Sequence, residues 1–147
     1  GEVMQKKLEK SGGVIYTPAE VDFGNKIQSS FGFPAPPVSN ASLITPLKTV
    51  TDAGGGSTDV GDVSYVVPTV GISTATWVPG TPAHSWQAVA CGGTEIGTAK
   101  TMAMTAIDLF LHPEIIQKAT AEFKQSIGDY QYKALLGDRK PALNYRD

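Results

Sequence analysis

The sequence predicts an α/β fold in which helices cover a mixed β-sheet. Residues 69–78 are rich in β-branched side chains, which is typical of a buried strand. Residues 94–111 place apolar side chains three and four positions apart, which indicates a long helix with one wide apolar face. Because the expected order is helix, strand, turn, strand and then two helices, a layered domain with the long helix against the sheet is predicted.

The chain is predicted to begin with two helices that are separated by glycine. Charged residues dominate positions 2–10, and Ser11-Gly12-Gly13 is expected to end the first helix. The second helix starts with a capping box, in which the Thr17 hydroxyl accepts from the Glu20 amide and the Glu20 side chain reaches back. Proline at the first helical position supports that start, so a helix over residues 18–30 is predicted.

The middle of the chain is predicted to hold short strands between turns. After a loop with three prolines over 32–40, residues 43–50 are compatible with a short strand. A glycine turn at 54–57 leads into a short helix from about residue 59 to 66. Beyond the β-branched strand and a proline–glycine loop, residues 86–90 are predicted as a short strand or an extended segment.

The second half of the chain is predicted to be helical. Its long helix presents a stripe of apolar residues: Ile96, Ala99, Met102, Ala103, Ala106, Ile107 and Phe110. A His112-Pro113 pair interrupts that helix, and another helix over 113–127 ends at Gly128. Residues 129–147 are expected to form a C-terminal tail. The whole chain, residues 1–147, is predicted to be a single domain, because its length is usual for one.

Composition excludes several classes of function. With 147 residues and a formal net charge of −2, the chain lacks the basic patch that nucleic-acid binding requires. Apolar runs fall short of the roughly 20 residues that span a bilayer, so no membrane partner is expected. Cys91 is the only cysteine and cannot form an intrachain disulfide. A lone thiol is compatible with a cytoplasmic protein.

His84 is the strongest candidate for a chemical role in this sequence. A neutral imidazole is a common ligand of Zn²⁺ or Mn²⁺, and the preceding Pro-Gly-Thr-Pro run would hold the backbone of that loop. The alternative is an ordinary surface histidine bonded to a nearby carbonyl. No cluster of Cys, His, Asp and Glu with metal-ligand spacing surrounds it.

The glycine turn at 54–57, with the three residues that follow it, is the second candidate. Glycines allow the backbone to approach a ligand closely, Ser57 and Thr58 supply hydroxyls, and Asp59 supplies a carboxylate or a helix cap. Amides at a helix start attract anions, which would suit a substrate carboxylate. The alternative is an ordinary turn capped by Asp59. A nucleotide-binding P-loop is disfavoured, because no lysine precedes the Ser-Thr pair.

Three motifs that follow one another in order carry a resemblance to a known family. They are Gly-Ser-Thr-Asp-Val-Gly-Asp-Val-Ser at 56–64, Val-Val-Pro-Thr-Val at 66–70 and Pro-Gly-Thr-Pro-Ala-His-Ser-Trp-Gln-Ala-Val-Ala at 79–90. Together they resemble the C-terminal part of the catalytic domain of the M20 family of metallopeptidases and amidohydrolases. The resemblance implies the C-terminal half of a zinc-exopeptidase-like layered domain, which agrees with the predicted α/β class.

The resemblance also implies roles for particular residues. His84 would be the last metal ligand. Gly56, Ser57, Thr58 and Asp59 would line the substrate pocket. Asp62 would not contact the substrate itself but would orient neighbouring residues through hydrogen bonds. The family's other metal ligands and its general-base glutamate have no counterpart in this sequence, so no catalytic residue is assigned here. The chain is therefore expected to be inactive alone and to bind no metal by itself.

The activity that the resemblance implies is metal-dependent amide hydrolysis. In the complete enzyme, two Zn²⁺ or Mn²⁺ ions would lower the pKa of a water that attacks an N-acyl amino acid amide such as p-aminobenzoyl-glutamate. The implied partners are the remainder of the parent chain and a small acidic amide substrate.

Two other functions stay open from the sequence. A non-enzymatic interaction module would use the long apolar helix to dock a partner chain. An anion-binding module would use the glycine turn. A portion of a split domain would also expose apolar surface, so self-association is expected.

Overall fold

The computed structural model describes residues 1–48, 58–92, 96–134 and 137–140, and these ranges contain helices and irregular segments. The elements, in order, are α1 (Glu2–Ser11), α2 (Pro18–Gln28), a 3-10 helix (Val38–Ser42), α3 (Val60–Ser64), α4 (Trp86–Ala90), α5 (Ile96–Leu111) and α6 (Pro113–Ile127). Within the described residues, no helix combines the length and the apolar character needed to cross a bilayer.

The predicted mixed sheet, and with it the zinc-exopeptidase-like α/β layering, is wrong, because the described ranges contain no strand. The β-branched run at 69–78 and residues 43–48 are irregular. A β-branched segment becomes a strand only where a second backbone pairs with its N–H and C=O groups. No described segment supplies that pairing. The predicted strand over 43–50 extends into residues 49–50, which lie outside the described ranges.

Residues 86–90 form helix α4 instead of the predicted strand or extended segment. The Ser85 hydroxyl accepts a hydrogen bond from the Ala88 amide at 3.2 Å, which satisfies one amide of the first turn. A serine in the N-cap position favours this helix, a signal that the prediction of an extended segment left out, and burial of Gln87 and Ala88 adds tertiary support.

Helices that carry explicit start and stop signals agree with the sequence prediction. The capping box of α2 is present: the Thr17 amide donates to Glu20 Oε2 at 2.7 Å, and the Glu20 amide donates to the Thr17 hydroxyl at 3.4 Å. The bond from the Thr17 backbone, reinforced by that from its hydroxyl, lowers the pKa of Glu20. The cap is therefore strongest at neutral pH and weakens as acid protonates that carboxylate. Helix α6 spans the residues predicted for it.

The chain forms two compact units. The first comprises Gly1–Asp52 and Val70–His112, and the second comprises Ala53–Thr69 and Pro113–Asp147.

The core of the first unit is small and lies beside α2. Its buried members are Ile27, Phe31, Val38 and Val78. Gly24 on α2 makes this packing possible: a Cβ at that position would lie 3.1 Å from the Val38 methyls. Val78, which ends the β-branched run, thus contributes to a helical core instead of a sheet.

Helix α5 also belongs to the first unit, where it packs against α1. A salt bridge joins Lys7 Nζ of α1 to Asp108 Oδ2 of α5 at 2.5 Å. On α5 the buried side chains are polar: Thr101 is fully buried and Thr105 is 6% exposed. The Thr105 hydroxyl donates to the Thr101 carbonyl at 2.8 Å, so burial leaves this hydroxyl satisfied.

The apolar side of α5 faces away from the packed side. Met102 and Ile107 are each 55% exposed and Phe110 is 85% exposed, and Ala103 and Ala106 are exposed with them. These five residues recur every three to four positions, and we call them the α5 apolar face. The predicted helix is present from Ile96 onwards, whereas residues 94–95 and the Ile96 side chain lie outside the described part of the chain. The described stripe residues are exposed, so the prediction that this helix covers a sheet is wrong.

Candidate functional site

The loop that carries His84 is tied to α2 where it begins. Gln28, the last residue of α2, donates through Nε2 to the Pro79 carbonyl at 3.0 Å and to the Pro36 carbonyl at 2.7 Å. The Thr81 hydroxyl donates to the Val78 carbonyl at 2.6 Å. One glutamine therefore bridges two proline-rich loops and holds the entry to the histidine loop.

The same loop is tied down again where it ends. The Ser85 hydroxyl donates to the Pro82 carbonyl at 2.7 Å while it caps α4. Gln87 of α4 is buried, and its Nε2 donates to the Ser30 hydroxyl at 3.1 Å. Hydrogen bonds from both flanks thus hold the backbone on either side of His84.

His84 itself has an unusual backbone conformation and an exposed side chain. Its φ is +59°, and no other non-glycine residue in the described ranges has a positive φ. This left-handed conformation is uncommon outside glycine and costs energy that the surrounding structure must offset. Such strain concentrates at functional sites, so the observation supports a hypothesis of function for His84.

The glycine turn is only partly described. Gly56 and Ser57, both predicted to bind substrate, lie outside the described residues. Thr58 and Asp59 are exposed, and the Val60 amide donates to the Thr58 hydroxyl at 3.4 Å. Asp59 occupies the N-cap position of α3, but its side chain makes no capping bond. The Asp59 carboxylate therefore remains accessible to a donor group from outside the turn.

Asp62 lies within α3 and contacts the C-terminal segment. Its Oδ1 accepts a hydrogen bond from the Tyr132 hydroxyl at 2.8 Å. Thr58, Asp59 and Asp62 share one short stretch of the second unit, whereas His84 belongs to the first unit. The predicted orienting role of Asp62 stays a prediction, and its described partner is this tyrosine.

The described residues do not make a metal site by themselves. No three His, Cys, Asp or Glu side chains among them stand close enough together to hold an ion. Zinc is bound in proteins by three or four such side chains, so one imidazole does not fit the requirement alone. We therefore derive no catalytic step through a metal from these residues.

A cleft of the first unit lies apart from the histidine loop's candidate ligand, His84, which is not among its lining residues. It has a volume of about 390 Å³ and lies between the end of α1, residues 41–44 and residues 73–75. Its lining includes apolar residues, such as Leu8 and Ile15, and the charged residue Lys100. The cleft is therefore not a site built around His84.

Two glutamines that position the histidine loop were not predicted from the sequence. Gln28 lies outside the three motifs, and Gln87 lies in the 79–90 motif without an assigned role. The Pro79 carbonyl and the Ser30 hydroxyl that they bond are 51 and 57 residues away in the chain. The available signal was a glutamine in a helix next to a loop rich in proline, and for Gln87 the helix is otherwise apolar. Proline lacks an amide donor, so the side chains of neighbouring elements must supply bonds to its loop.

Comparison with known proteins identifies the class that the motifs resemble. Two curated proteins of the M20 family, one a hydrolase and the other a dipeptidase by name, are similar to this chain, which confirms the resemblance. The chain is 36% identical over 91 residues to a p-aminobenzoyl-glutamate hydrolase subunit of Escherichia coli (strain K12), and the match covers 58% of this chain and 19% of that protein. It is 36% identical over 90 residues to Xaa-Arg dipeptidase of Mus musculus, and that match covers 56% of this chain and 20% of the dipeptidase.

The extent of these matches is limited. The chain spans about a fifth of the length of the two relatives. No protein-family model matches the chain. No solved structure matches it either.

Proposed function

We propose that this chain is the C-terminal part of the catalytic domain of a metal-dependent amidohydrolase. Its substrate would be an N-acyl amino acid amide such as p-aminobenzoyl-glutamate, and the chain alone would be inactive. The observation that carries the proposal is the similarity to two hydrolases, each about five times longer than the matched stretch. We place the protein in the cytoplasm, because a lone thiol at Cys91 is compatible with a reducing compartment.

In this proposal His84 supplies one imidazole ligand to a Zn²⁺ or Mn²⁺ ion, and the remainder of the enzyme supplies the others. The support comes from the loop: its backbone is held from both sides, its strained residue is the histidine, and the ring is exposed. A ligand held in this way would need little reorganisation to bind. Bound there, the metal would supply Lewis-acid activation of water or of the amide carbonyl.

The turn before α3 would bind the substrate. The Thr58 hydroxyl accepts from the Val60 amide, and its own hydrogen remains to donate to a substrate carboxylate. The Asp59 carboxylate repels an acidic group, so it suits an N–H of the amide instead. Gly56 and Ser57, which lie outside the described residues, are assigned to the same pocket from the resemblance.

The α5 apolar face supports the presence of a further protein layer. Buried helices present their apolar side to another element, yet this face of five residues is exposed. We assign the remainder of the parent enzyme as its partner. The same exposure favours the alternative function, an interaction module in which a separate protein would cover the face.

Exposure of this face leads to a prediction for the chain by itself. We expect the chain to self-associate, because apolar patches left in water are buried by association. Replacing Ile107 and Phe110 together with glutamate should shift sedimentation at micromolar concentration towards the monomer. Lys118→Glu on α6 changes the net charge by the same amount and should leave self-association as it was. A wild-type chain that sediments as a monomer at all concentrations would contradict the expectation.

The proposed function is tested with the full-length parent enzyme and this chain side by side. We expect the full-length enzyme to release glutamate from p-aminobenzoyl-glutamate in the presence of Zn²⁺ or Mn²⁺, and a chelator should abolish that activity. The 147-residue chain should show no hydrolysis under the same conditions. Absence of amide hydrolysis by the metal-loaded full-length protein would reject the amidohydrolase, and binding of a separate protein to the α5 apolar face would then favour the interaction module.

A further inference from the structure

Three tyrosines and an aspartate join the segment after α6 to α3. Tyr65, at the C-cap of α3, has its ring centroid 5.0 Å from that of Tyr130 and 6.4 Å from that of Tyr132. The Tyr132 hydroxyl donates to Asp62 Oδ1 at 2.8 Å, across 70 residues of sequence. We call Asp62, Tyr65, Tyr130 and Tyr132 the tyrosine clamp. All four belong to the second unit.

Helix α3 needs such contacts in order to persist. It has five residues, and helices this short are unstable in water without tertiary contacts. Gly61 lies inside it and weakens it further, because glycine loses the most backbone freedom on folding. No residue of α3 is buried, so no hydrophobic core holds it in place. The clamp supplies the aromatic and hydrogen-bonding contacts that the structure shows from α3 to a distant segment.

Helix α3 also sets the conformation of the turn in front of it. The Val60 amide bonds to the Thr58 hydroxyl, and the Asp62 amide donates to the Asp59 carbonyl at 3.1 Å. Any shift of α3 therefore moves Thr58 and Asp59 with it. We propose that Tyr132 is a positioning residue: through Asp62 it holds α3, and thereby orients the Thr58–Asp59 turn towards the substrate. This inference rests on the proposed function of that turn.

The protonation of Tyr132 provides a signature for the contact. The hydrogen bond to Asp62, together with partial burial and the charges of Asp62 and Tyr130, raises the pKa of Tyr132 above its ordinary value. A raised pKa in the folded chain means that the contact is fully present below pH 10.0 and is lost as the pH rises through the raised value. The other titratable groups beside Tyr132 are Tyr65, whose ring stacks on that of Tyr132, and Tyr130, whose charge adds to the shift.

The first test uses the 147-residue chain and NMR. Tyr132→Phe removes only the hydroxyl, and Tyr130→Phe is the matched control, because its ring also packs against that of Tyr65, in a tilted arrangement. We expect the amide shifts of residues 60–65 to move in Tyr132→Phe and to stay in place in Tyr130→Phe. In Asp62→Leu, the Tyr132 ring should titrate closer to the ordinary tyrosine value than in the wild type. Equal α3 shifts in both phenylalanine variants would overturn the clamp.

The second test measures kinetics of the full-length enzyme. Tyr132→Phe should raise KM for the acidic amide by about fivefold, the equivalent of one ordinary hydrogen bond, and should leave kcat within about twofold. Tyr16→Phe, which removes a hydroxyl in the first unit outside the clamp, should leave both constants unchanged. A Cβ at Gly61 meets no atom within 4 Å, so Gly61→Ala should stabilise α3 and restore KM in the Tyr132→Phe background.

The two tests separate failure of the clamp from failure of the proposed function. Altered α3 shifts with an unchanged KM in an active enzyme would overturn the positioning role and leave the hydrolase intact. A full-length protein without hydrolase activity would reject the proposed function and the positioning role together. Altered shifts, a raised KM and its recovery with Gly61→Ala would establish the positioning role.

Discussion

Replacing His84 with alanine in the full-length hydrolase is expected to lower its activity by more than about a hundredfold. Loss of a residue that only supports a metal ligand already costs about 10- to 100-fold in metal affinity or activity, so loss of a ligand should cost more. The measurement is metal content by elemental analysis alongside the rate of amide hydrolysis. His112→Ala removes the chain's other histidine and is the matched control, which should keep its metal.

His84→Gly separates backbone strain from ligand chemistry. Glycine adopts a φ of +59° without the cost that a side chain incurs, so this variant of the 147-residue chain should gain about 1 kcal/mol in the free energy of unfolding. In the full-length enzyme the same variant should be as inactive as His84→Ala. Normal metal content and activity in either variant would show that His84 is a surface residue and not a ligand.

Replacing Gly13 with alanine is expected to destabilise the first unit by about 2 to 3 kcal/mol, near the upper end of the usual cost of overpacking. A Cβ at this position would lie 2.5 Å from the Ser42 carbonyl carbon and closer still to its oxygen. Both are backbone atoms at the end of the 3-10 helix, and they cannot move aside as a flexible side chain would. The adjacent hydrogen bond from the Val14 amide to the Ala41 carbonyl, 3.1 Å long, should be lost as the two segments separate.

Urea denaturation measures this loss as a lower midpoint at an unchanged slope. Gly71→Ala is the matched control within the same unit, because a Cβ there meets no atom within 4 Å. Its midpoint should stay the same or rise slightly, since alanine reduces the freedom of the unfolded chain. A Gly13→Ala midpoint equal to that of Gly71→Ala would contradict the close approach of Gly13 to Ser42.

Local chemistry explains which parts of the fold could be predicted. Thr17, Pro18 and Glu20 lie within four consecutive residues and together determine where α2 begins. The structure shows the capping box between Thr17 and Glu20 and the proline in the first turn. Pro113 and Gly128 mark the limits of α6 in the same way. Such signals act between neighbours, so a sequence contains all the information that they require.

The candidate site was predictable only in its residue types. His84 and Asp62 stand in motifs that could be read directly, but the residues that hold the histidine loop and Asp62 are far away in sequence. Gln28 reaches the histidine loop across 51 residues, and Tyr132 reaches Asp62 across 70. Neither contact follows from a local pattern, because each depends on how distant segments meet.

The sequence by itself determined the helices with explicit caps, the apolar stripe of α5 and the motifs that resemble the amidohydrolase family. Only the tertiary structure decided that the run at 69–78 is irregular, that α5 buries Thr101 instead of Phe110, and that His84 adopts a positive φ. The physical reason is the range of the interactions. Caps and periodicity act within a few residues, whereas strand pairing, burial and backbone strain depend on segments that the chain brings together only on folding.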